Sequence, residues 1–406
     1  MYNSALKFYA KALLGKKNDM WYFDKLERAY PRKFYKEVEQ VIAWADSEIG
    51  IRHDNTFYEE NGYLINPVYS HAKELRETIL SRYKDYFSNE SLSFFLHLPP
   101  EMVSIGGRSW MLNFGSAMEF MGIEVNYFWS QFPAEHLTEK NIILSIGAET
   151  FMKNLDWTLL NQLKKHHDVK IGLQCSTDIT NKELLNKYIS SYLLYSVDFF
   201  YSFHSKDFVE ESELLNLSKK KGFNIYSIEF SANPLVHFPE QYVKCDFDFA
   251  FLGSGNYDKI NRYCNYFYEP FRQFKGLVAG PGWKWTPDFK MIPKRDGLLY
   301  SCCKVAINLH IDFQIINSNE INERSYQLAA YGIPQVIDNP KILTKKFDRI
   351  GLIANTPDEY LHQIRRAIAN KQEADAGSKS ALMEVYHRHT TFHRVESFIE
   401  KFKTDY

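Results

Sequence analysis

The chain has 406 residues, and its 49 Lys and Arg residues nearly balance its 50 Asp and Glu residues, for a formal net charge of −1. That length predicts two or three domains whose cores need neither disulfides nor structural metals. The neutral balance argues against a surface that neutralises many phosphates, so we expect no nucleic-acid partner. Aromatic residues make up 16% of the chain, and such side chains both fill cores and stack on sugars and bases.

Targeting and redox features favour a cytoplasmic location. No apolar run reaches the roughly 18 residues that a membrane-spanning helix needs. Residues 1–17 interleave lysines with apolar residues; an ordinary surface helix explains this pattern, and an interfacial helix with a peripheral membrane contact is the other interpretation. In that second case the protein would lie at the inner face of the membrane. The odd number of cysteines, without C-x-x-C spacing, argues against disulfides and zinc.

The first part of the chain changes character near residue 89. Residues 1–88 carry helical periodicity and are predicted to form a helical N-terminal extension. Over residues 89–235, short apolar runs alternate with helical stretches, which indicates a Rossmann-like domain with a parallel sheet covered on both faces. In chain order, its strand candidates are SLSFFLHL, IEVNYFW, NIILSIGAE, VKIGLQC, VDFFYSF and FNIYSIEF.

A second alternation of strands and helices occupies residues 236–388. Residues 231–245 contain two prolines and little periodicity, which predicts a linker. The strand candidates are DFAFLGSG, GLVAGPGW, KVAINLHI, IPQVIDN and FDRIGLIAN, and residues 389–406 are predicted to form a helix that packs back toward the N-terminal domain. The fold class is therefore α/β with two facing Rossmann-like domains, and ligands are expected beyond the carboxyl ends of the strands, in the cleft.

A glycine-containing turn follows the first strand of the second domain. In FLGSGNYDK, Gly253 and Ser254 precede a helix whose N-terminal N–H groups can bind a phosphate, and Lys259 adds positive charge. The motif is neither a full G-x-G-x-x-G nor a P-loop, so an ordinary strand-to-helix turn is the alternative.

The next strand ends in a Gly-Pro-Gly-Trp turn at the same edge of the predicted sheet. Gly280, Gly282 and Trp283 are therefore expected near the same cleft. Trp283 and Trp285 could stack on a base or a sugar. A tight turn chosen for its shape, with covered aromatic side chains, explains the same residues.

A dense polar cluster opens the predicted helix within residues 319–334. Asn319, Glu323 and Gln327 are spaced by four and share one side of that helix, while Leu328 belongs to its apolar side. A solvated amphipathic face is the alternative. The concentration of Asn, Glu and Arg beside a Gly-x-Pro turn favours a binding function instead.

No metal site is predicted from the residue spacing. The 13 histidines show no H-E-x-x-H pattern. Asp246 and Asp248 form an Asp-x-Asp pair of the kind that binds a divalent ion, but they open a strand and so lie at the wrong edge of the sheet. His97 and His310 each end a predicted strand, where a parallel sheet places its ligand-binding groups.

Residues from about Asn233 to Glu400 resemble the C-terminal donor-binding domain of GT-B glycosyltransferases of the glycosyl transferases group 1 type. They are most similar to the spore-maturation-protein-like (CgeB-like) branch. The matching segments, in order, are NPLVHFP, DFAFLGS, VAGPGW, AINLHID, NERSYQLAAYGIPQVIDN, TPDEYLHQIRRAI and HTTFHRVESFIEKF. The resemblance implies a nucleotide-sugar donor on residues 236–388 and a glycan or lipid-linked acceptor entering from residues 89–235.

The resemblance also implies which residues contact the donor. Asn322 and Arg324 match the family's N-x-R motif, and Arg324 is expected to pair with phosphate charge. Helix N-termini and fixed cations can stabilise a leaving diphosphate, so no metal or other cofactor is expected. The donor-binding candidates are Gly253, Ser254, Lys259, Gly280, Gly282, Trp283, His310, Asn322, Arg324 and Gln327.

Catalysis needs a carboxylate or a base that the family pattern does not supply directly. Related retaining enzymes carry glutamates at the positions of Asn319 and Gln327, which leaves Glu320 and Glu323 as the nearest substitutes. An inverting enzyme needs a base for the acceptor hydroxyl; His97 is the candidate, and a core-facing histidine is the alternative. The loop expected to contact phosphate or the acceptor contains Gly106, Gly107 and Arg108.

The sequence thus predicts a metal-independent enzyme that transfers a hexosyl or related group to an acceptor hydroxyl in bacterial surface polysaccharide or envelope glycan synthesis. A non-catalytic glycan- or nucleotide-binding protein that retains the GT-B fold is the alternative, because both family glutamates are missing. A sugar-nucleotide epimerase is a third hypothesis, and it would isomerise its substrate without an acceptor.

Overall fold

The computed structural model describes residues 20–49, 55–100, 107–147, 149–175, 197–211, 220, 222, 224–255, 257–283, 285–286, 292–317, 320–338 and 340–406. The chain divides into two units. Unit 1 comprises residues 1–75, 236–318 and 324–385, and unit 2 comprises residues 76–235, 319–323 and 386–406. Residues 1–17, Gly106 and Asn319 lie outside the described residues, so the expectations for them stay predictions.

The described strands, in chain order, are β1 (Leu64–Ile65), β2 (Leu92–His97), β3 (Glu124–Phe128), β4 (Lys140–Ile146), β5 (Asp168–Gln174), β6 (Phe199–Ser202), β7 (Asn224–Ser227), β8 (Tyr242–Val243), β9 (Phe247–Leu252), β10 (Gly276–Ala279), β11 (Cys303–Asn308), β12 (Gln335–Ile337) and β13 (Leu352–Ile353). The described helices cover residues 20–29 and then Lys33–Glu48, Asn55–Glu60, Tyr69–Tyr83, Gly107–Phe120, Glu149–Lys153, Trp157–His166, Lys206–Glu211, Tyr257–Gln273, Pro293–Ser301, Asp312–Asn317, Glu323–Ala330, Pro340–Lys346, Pro357–Ala369, Lys371–Arg388 and Thr391–Asp405. Across the described residues, no helix combines the length and the apolar character that crossing a membrane requires.

Unit 2 is built on a parallel sheet with the strand order β3-β2-β4-β5-β6-β7. Every residue of β2 is buried, and in β4 only the first residue is exposed. Parallel strands covered on both faces have to be apolar throughout, and this is why they were visible in the sequence as short continuous runs. The C-terminal helix packs on this sheet: Phe398 contacts Tyr226 with ring centroids 5.3 Å apart, and the Tyr226 hydroxyl donates a 2.8 Å hydrogen bond to Asp405.

Unit 1 contains a parallel sheet with the strand order β10-β9-β11-β12-β13 and a small antiparallel pair, β1 with β8. From Phe249 to Leu252, residues of β9 alternate between two apolar clusters: Phe249 and Phe251 belong to one, Ala250 and Leu252 to the other. The alternation follows from the two-residue period of a strand, and it shows that both faces of this sheet are covered.

The N-terminal helices, which the sequence predicted as a helical extension over residues 1–88, contribute to the core of unit 1. Leu26 and Tyr30 are buried in the same apolar cluster as Phe271. The Tyr30 hydroxyl donates a 2.5 Å hydrogen bond to the carbonyl oxygen of Gly276, at the start of β10. An amphipathic helix has to bury its apolar face, and the sheet of unit 1 provides the surface for it.

The strand orders determine where ligand-binding groups collect. In unit 1, β10 lies on one side of β9 and β11 on the other, so the direction of the winding reverses between β9 and β11. In unit 2 the same reversal lies between β2 and β4. Open α/β sheets bind ligands in the crevice beyond the carboxyl ends of the strands at such a switch point.

Candidate active site

The two glycine turns of unit 1 are joined to each other. The Gly253 N–H donates to the Ala279 carbonyl and the Gly255 N–H donates to the Pro281 carbonyl, each at 2.9 Å. Gly280 has a φ of +151°, and a Cβ at this position would overlap the Gly253 carbonyl oxygen, so the approach requires glycine. The motif is therefore a junction between two turns, and two of its N–H groups are already used by protein carbonyls.

Trp283 belongs to the core beneath this junction. Its side chain is 5% exposed, and its Nε1–H donates a 2.7 Å hydrogen bond to the Gly253 carbonyl. The ring stacks on Tyr263, with centroids 5.9 Å apart, and meets Phe251 edge-on. This burial favours the alternative of a covered aromatic residue, and stacking of Trp283 on a base or sugar stays a prediction. Trp285 is buried beside it.

Arg324 lies over Gly253 without a counter-charge. Its Cζ is 4.7 Å from the centroid of the Phe251 ring, and a Cβ on Gly253 would overlap its Nη2. Its Nε is shielded from solvent and has no hydrogen-bond partner, and none of the described carboxylates forms an ion pair with it. A partly buried guanidinium without a counter-charge is unfavourable, so Arg324 is a candidate for binding an anionic group.

Asp296 lies in the electrostatic surroundings of Arg324, and the sequence analysis missed it. Burial raises the pKa of Asp296 to about 8, against smaller opposing effects from the Ile292 N–H and from the charges of Arg295 and Arg324. Burial thus disfavours the charged form of Asp296, which makes it a weak counter-charge for Arg324. In the sequence, Asp296 is only an acid in the first turn of a helix that begins with Pro293. That pattern is too common to identify Asp296 as a functional residue.

His310 is held at the end of β11 by an acid that was also missed. Asp338 Oδ1 accepts hydrogen bonds from the His310 backbone N–H at 2.9 Å and from His310 Nδ1 at 2.7 Å. Arg262 binds the other oxygen of Asp338 and donates from Nε to the His310 carbonyl at 3.0 Å. Burial alone would raise the pKa of Asp338, but His310 and Arg262 hold it below its ordinary value. The sequence feature that could have identified Asp338 is its position directly after β12, at the carboxyl end of the strand.

The other donor-side candidates of unit 1 are distributed around these groups. Ser254, Lys259 and Gln327 are half-buried, and Gly282 is exposed with a φ of +85°. The structure gives them places in unit 1 but no contact with a ligand, so their donor-binding roles stay predictions.

The acidic residues before Arg324 are grouped with unit 2, as is Asn322. Glu323 accepts hydrogen bonds from Asn113 Nδ2 at 3.1 Å and from the Ser109 hydroxyl at 3.4 Å, both on the helix Gly107–Phe120. Glu320 is 3% exposed. Glu323 is thus already bound by protein donors, and the catalytic roles proposed for these two glutamates stay predictions.

His97 is a core residue of unit 2. Its Nε2 lies 2.8 Å from the Trp129 carbonyl, which can only accept, so Nε2 carries the proton and Nδ1 accepts from the Ser145 hydroxyl at 2.8 Å. Burial lowers the pKa of His97 to about 4. Both ring nitrogens are thus engaged by protein groups, which favours the core-facing alternative, and the role of His97 as a catalytic base stays a prediction.

The remaining sequence predictions concern a loop and metals. Arg108 is half-buried, follows Gly107 at the start of its helix and donates from Nε to the Pro99 carbonyl at 3.1 Å. Asp248 lies at the amino end of β9 and forms an ion pair with Lys304 Nζ at 2.7 Å. This is the edge of the sheet opposite the one at which ligands are expected, as the sequence analysis predicted. Within the described ranges no three His, Cys, Asp or Glu residues are placed to hold a metal ion, and metal independence stays a prediction.

Residues 263–400 match the family described as Glycosyl transferase-like. The matched region contains Arg324, His310 and Asp338. No curated protein sequence matches the chain. The family match supports a glycosyltransferase-like domain, and the CgeB-like branch stays a prediction.

The fold is similar to that of known GT-B glycosyltransferases. Sucrose-phosphate synthase from Thermosynechococcus elongatus is 10% identical, with 78% of this chain and 99% of that chain covered and a TM-score of 0.51. HepE from Anabaena, in complex with UDP-glucose, is 11% identical over 78% of this chain and 100% of that chain, with a TM-score of 0.43. The two parallel sheets and the similarity to sucrose-phosphate synthase confirm the predicted α/β fold with two Rossmann-like units.

Proposed function

We propose that this protein is a glycosyltransferase that binds a nucleoside-diphosphate sugar at the carboxyl edge of the unit 1 sheet and transfers the sugar to an acceptor hydroxyl. The observation that carries the proposal is Arg324, a partly buried guanidinium without a counter-charge at the β9–β11 switch point. When the bond between the sugar and the diphosphate breaks, its electron pair goes to a phosphate oxygen, and a cation fixed beside that oxygen stabilises the leaving group.

Several finer parts of the proposal rest on the sequence resemblance. They are a hexosyl or related donor, a glycan or lipid-linked acceptor, metal independence, and a role in bacterial surface polysaccharide or envelope glycan synthesis in the cytoplasm. A contact with the inner face of the membrane belongs to the proposal only if residues 1–17 form an interfacial helix. Membership of the CgeB-like branch belongs here too. Rates measured with EDTA and with added MgCl2 test the metal independence, and we expect them to be equal.

Ligand binding tests the proposal directly. Calorimetry with UDP-glucose, GDP-mannose, ADP-glucose and dTDP-glucose, and with the four nucleoside diphosphates, should identify the nucleotide that the wild-type protein binds. Arg324→Gln should weaken that binding about 10- to 100-fold, because a charge-assisted hydrogen bond is lost. Arg349→Gln, at an exposed arginine of unit 1, is the matched control and should bind as the wild type does. Absence of binding by the wild type, or equal binding by Arg324→Gln, contradicts the proposal.

A non-catalytic glycan- or nucleotide-binding protein is the second candidate. Two observations favour it: both ring nitrogens of His97 are engaged, and Gln327 stands where retaining relatives carry a glutamate. Release of free nucleoside diphosphate that depends on an added acceptor would eliminate this candidate. Tight donor binding without turnover over a panel of glycan acceptors would favour it over the enzyme.

A further inference from the structure

His310, Asp338 and Arg262 form one hydrogen-bonded cluster at the carboxyl edge of unit 1. The carboxylate of Asp338 is shared, with Oδ1 on His310 and Oδ2 on Arg262. The fourth hydrogen bond joins Arg262 Nε to the His310 carbonyl. The histidine is therefore fixed through its main chain and its ring by residues from a neighbouring strand end and a helix, which leaves its ring little freedom to turn.

The cluster also fixes the tautomer of His310. A carboxylate can only accept, so the proton of the neutral ring is on Nδ1, and Nε2 is left with a lone pair. Asp338 is also paired with Arg262, whose side chain is largely buried and whose Nη1 lies 3.7 Å from Asp312 Oδ1. Nε2 is shielded from solvent and has no hydrogen-bond partner among the described residues. A buried acceptor without a partner is unfavourable, so the site is built for a group that donates to it.

The strand order places His310 at the edge of the sheet where the switch point lies. β11 lies between β12, which carries Asp338, and β9. Nδ1 and Nε2 diverge across the imidazole ring, so Nε2 faces away from the Asp338 carboxylate, and His310 itself follows β11, one of the two strands of the switch point. Tyr263 links this place to Arg324: burial raises the pKa of Tyr263 to about 12, and the charges of Arg324, Asp338 and Arg262 all act on it.

We propose that His310 determines ligand specificity by accepting a hydrogen bond at Nε2 from a hydroxyl group of the bound nucleotide sugar, with Asp338 as the positioning residue that fixes its tautomer. This inference rests on the proposed function and deepens it. The two residues bind different groups. Arg324 donates hydrogen bonds to an anionic oxygen, whereas the lone pair of His310 repels an anionic oxygen and accepts a hydrogen bond from a hydroxyl.

Replacing His310 by asparagine and, separately, by glutamine distinguishes a role in ligand recognition from a role in structure. The amide N–H of His310→Asn can replace the Nδ1–H that binds Asp338 but offers nothing at the position of Nε2. His310→Gln places an amide oxygen near Nε2 and should restore part of the function. We expect His310→Asn to fold with an unchanged melting temperature within a few degrees and to bind the preferred nucleotide sugar about tenfold more weakly. His362→Gln, at an exposed histidine of unit 1, is the control.

Comparing the nucleotide sugar with its nucleoside diphosphate identifies the source of the hydroxyl. A loss confined to the nucleotide sugar assigns the hydroxyl to the transferred sugar, and an equal loss for both assigns it to the ribose. If His310→Asn binds both ligands as the wild type does, Nε2 is satisfied by an internal water and the proposal is overturned.

The tautomer is measured independently of any ligand. In protein labelled with 15N-histidine, the imidazole signal absent from His310→Gln should show an unprotonated Nε2 and a protonated Nδ1 in the wild type. Asp338→Asn should change this pattern, whereas Asp358→Asn, at an exposed position of unit 1, should not. A protonated Nε2 in the wild type overturns the inference even if nucleotide sugars bind. Failure of all nucleotide sugars to bind contradicts the proposed function, and with it the ligand role of His310, while the tautomer held by Asp338 would stand on the NMR result alone.

Discussion

The guanidinium of Arg324 occupies the space in which residue 253 would carry a side chain. A Cβ added to Gly253 would overlap Arg324 Nη2, and the same guanidinium lies on the face of the Phe251 ring. The motif suggests that Gly253 lets a phosphate approach the backbone, but in the structure this glycine makes room for the side chain of Arg324. It admits a cation from a later helix to the end of β9, while its own N–H is used by Ala279.

Gly253→Ala should impair ligand binding more than stability. The new methyl group meets the far end of a flexible side chain, so Arg324 is displaced at small cost and the free energy of unfolding changes by no more than about 1 kcal/mol. The affinity for the preferred nucleoside diphosphate should fall about tenfold, measured by calorimetry. Gly377→Ala is the control: a Cβ there meets nothing within 4 Å, and this helical position should gain about 0.5–1 kcal/mol with no change in binding. Unchanged affinity in Gly253→Ala would contradict the proposed position of the ligand.

Trp283 and Trp285 offer a matched pair for the turn junction. Trp283→Phe removes the 2.7 Å hydrogen bond from Nε1 and leaves the Gly253 carbonyl without it. Trp285 is equally buried, but its Nε1 has no hydrogen-bond partner. Trp283→Phe should therefore lower the free energy of unfolding by about 1–3 kcal/mol more than Trp285→Phe, measured by urea denaturation followed by circular dichroism. Equal losses would show that the indole hydrogen bond contributes nothing to the junction.

His97 should make the stability of the protein depend on pH. Its pKa is about 4 in the folded chain against 6.5 when unperturbed, so the unfolded chain binds the proton first as the pH falls. The contribution of neutral His97 is complete above pH 6.5 and is lost progressively down to pH 4, by roughly 3 kcal/mol in total. The difference in unfolding free energy between the wild type and His97→Gln should therefore shrink over this window. A constant difference would show that His97 is not held neutral.

Much of the fold could be predicted from the sequence because parallel strands covered on both faces are continuous apolar runs. All six runs predicted between residues 91 and 230 form strands β2 to β7, and the five runs that follow form β9 to β13. The pairing of β1 with β8 was missed: each strand has two residues, and Leu64 meets Val243 across a long stretch of chain. The N-terminal helices were recognised as helices, but no local pattern told which sheet they cover.

The candidate site could be predicted only in part, because the sequence shows which residues end a strand but not what they contact. In the sequence, His97 and His310 cannot be told apart, because each ends a predicted strand. Neighbouring side chains distinguish them: both nitrogens of His97 are bound, whereas His310 keeps Nε2 open. Arg324 was found through its motif. Asp296 and Asp338 act through tertiary contacts that no spacing encodes.

A crystal structure with the most tightly bound of UDP, GDP, ADP and dTDP tests the central claim most directly. The account predicts the β-phosphate at the carboxyl edge of unit 1, with one of its oxygens within about 3.2 Å of the Arg324 guanidinium. A diphosphate bound elsewhere on the protein, with Arg324 still without an anionic partner, would contradict it.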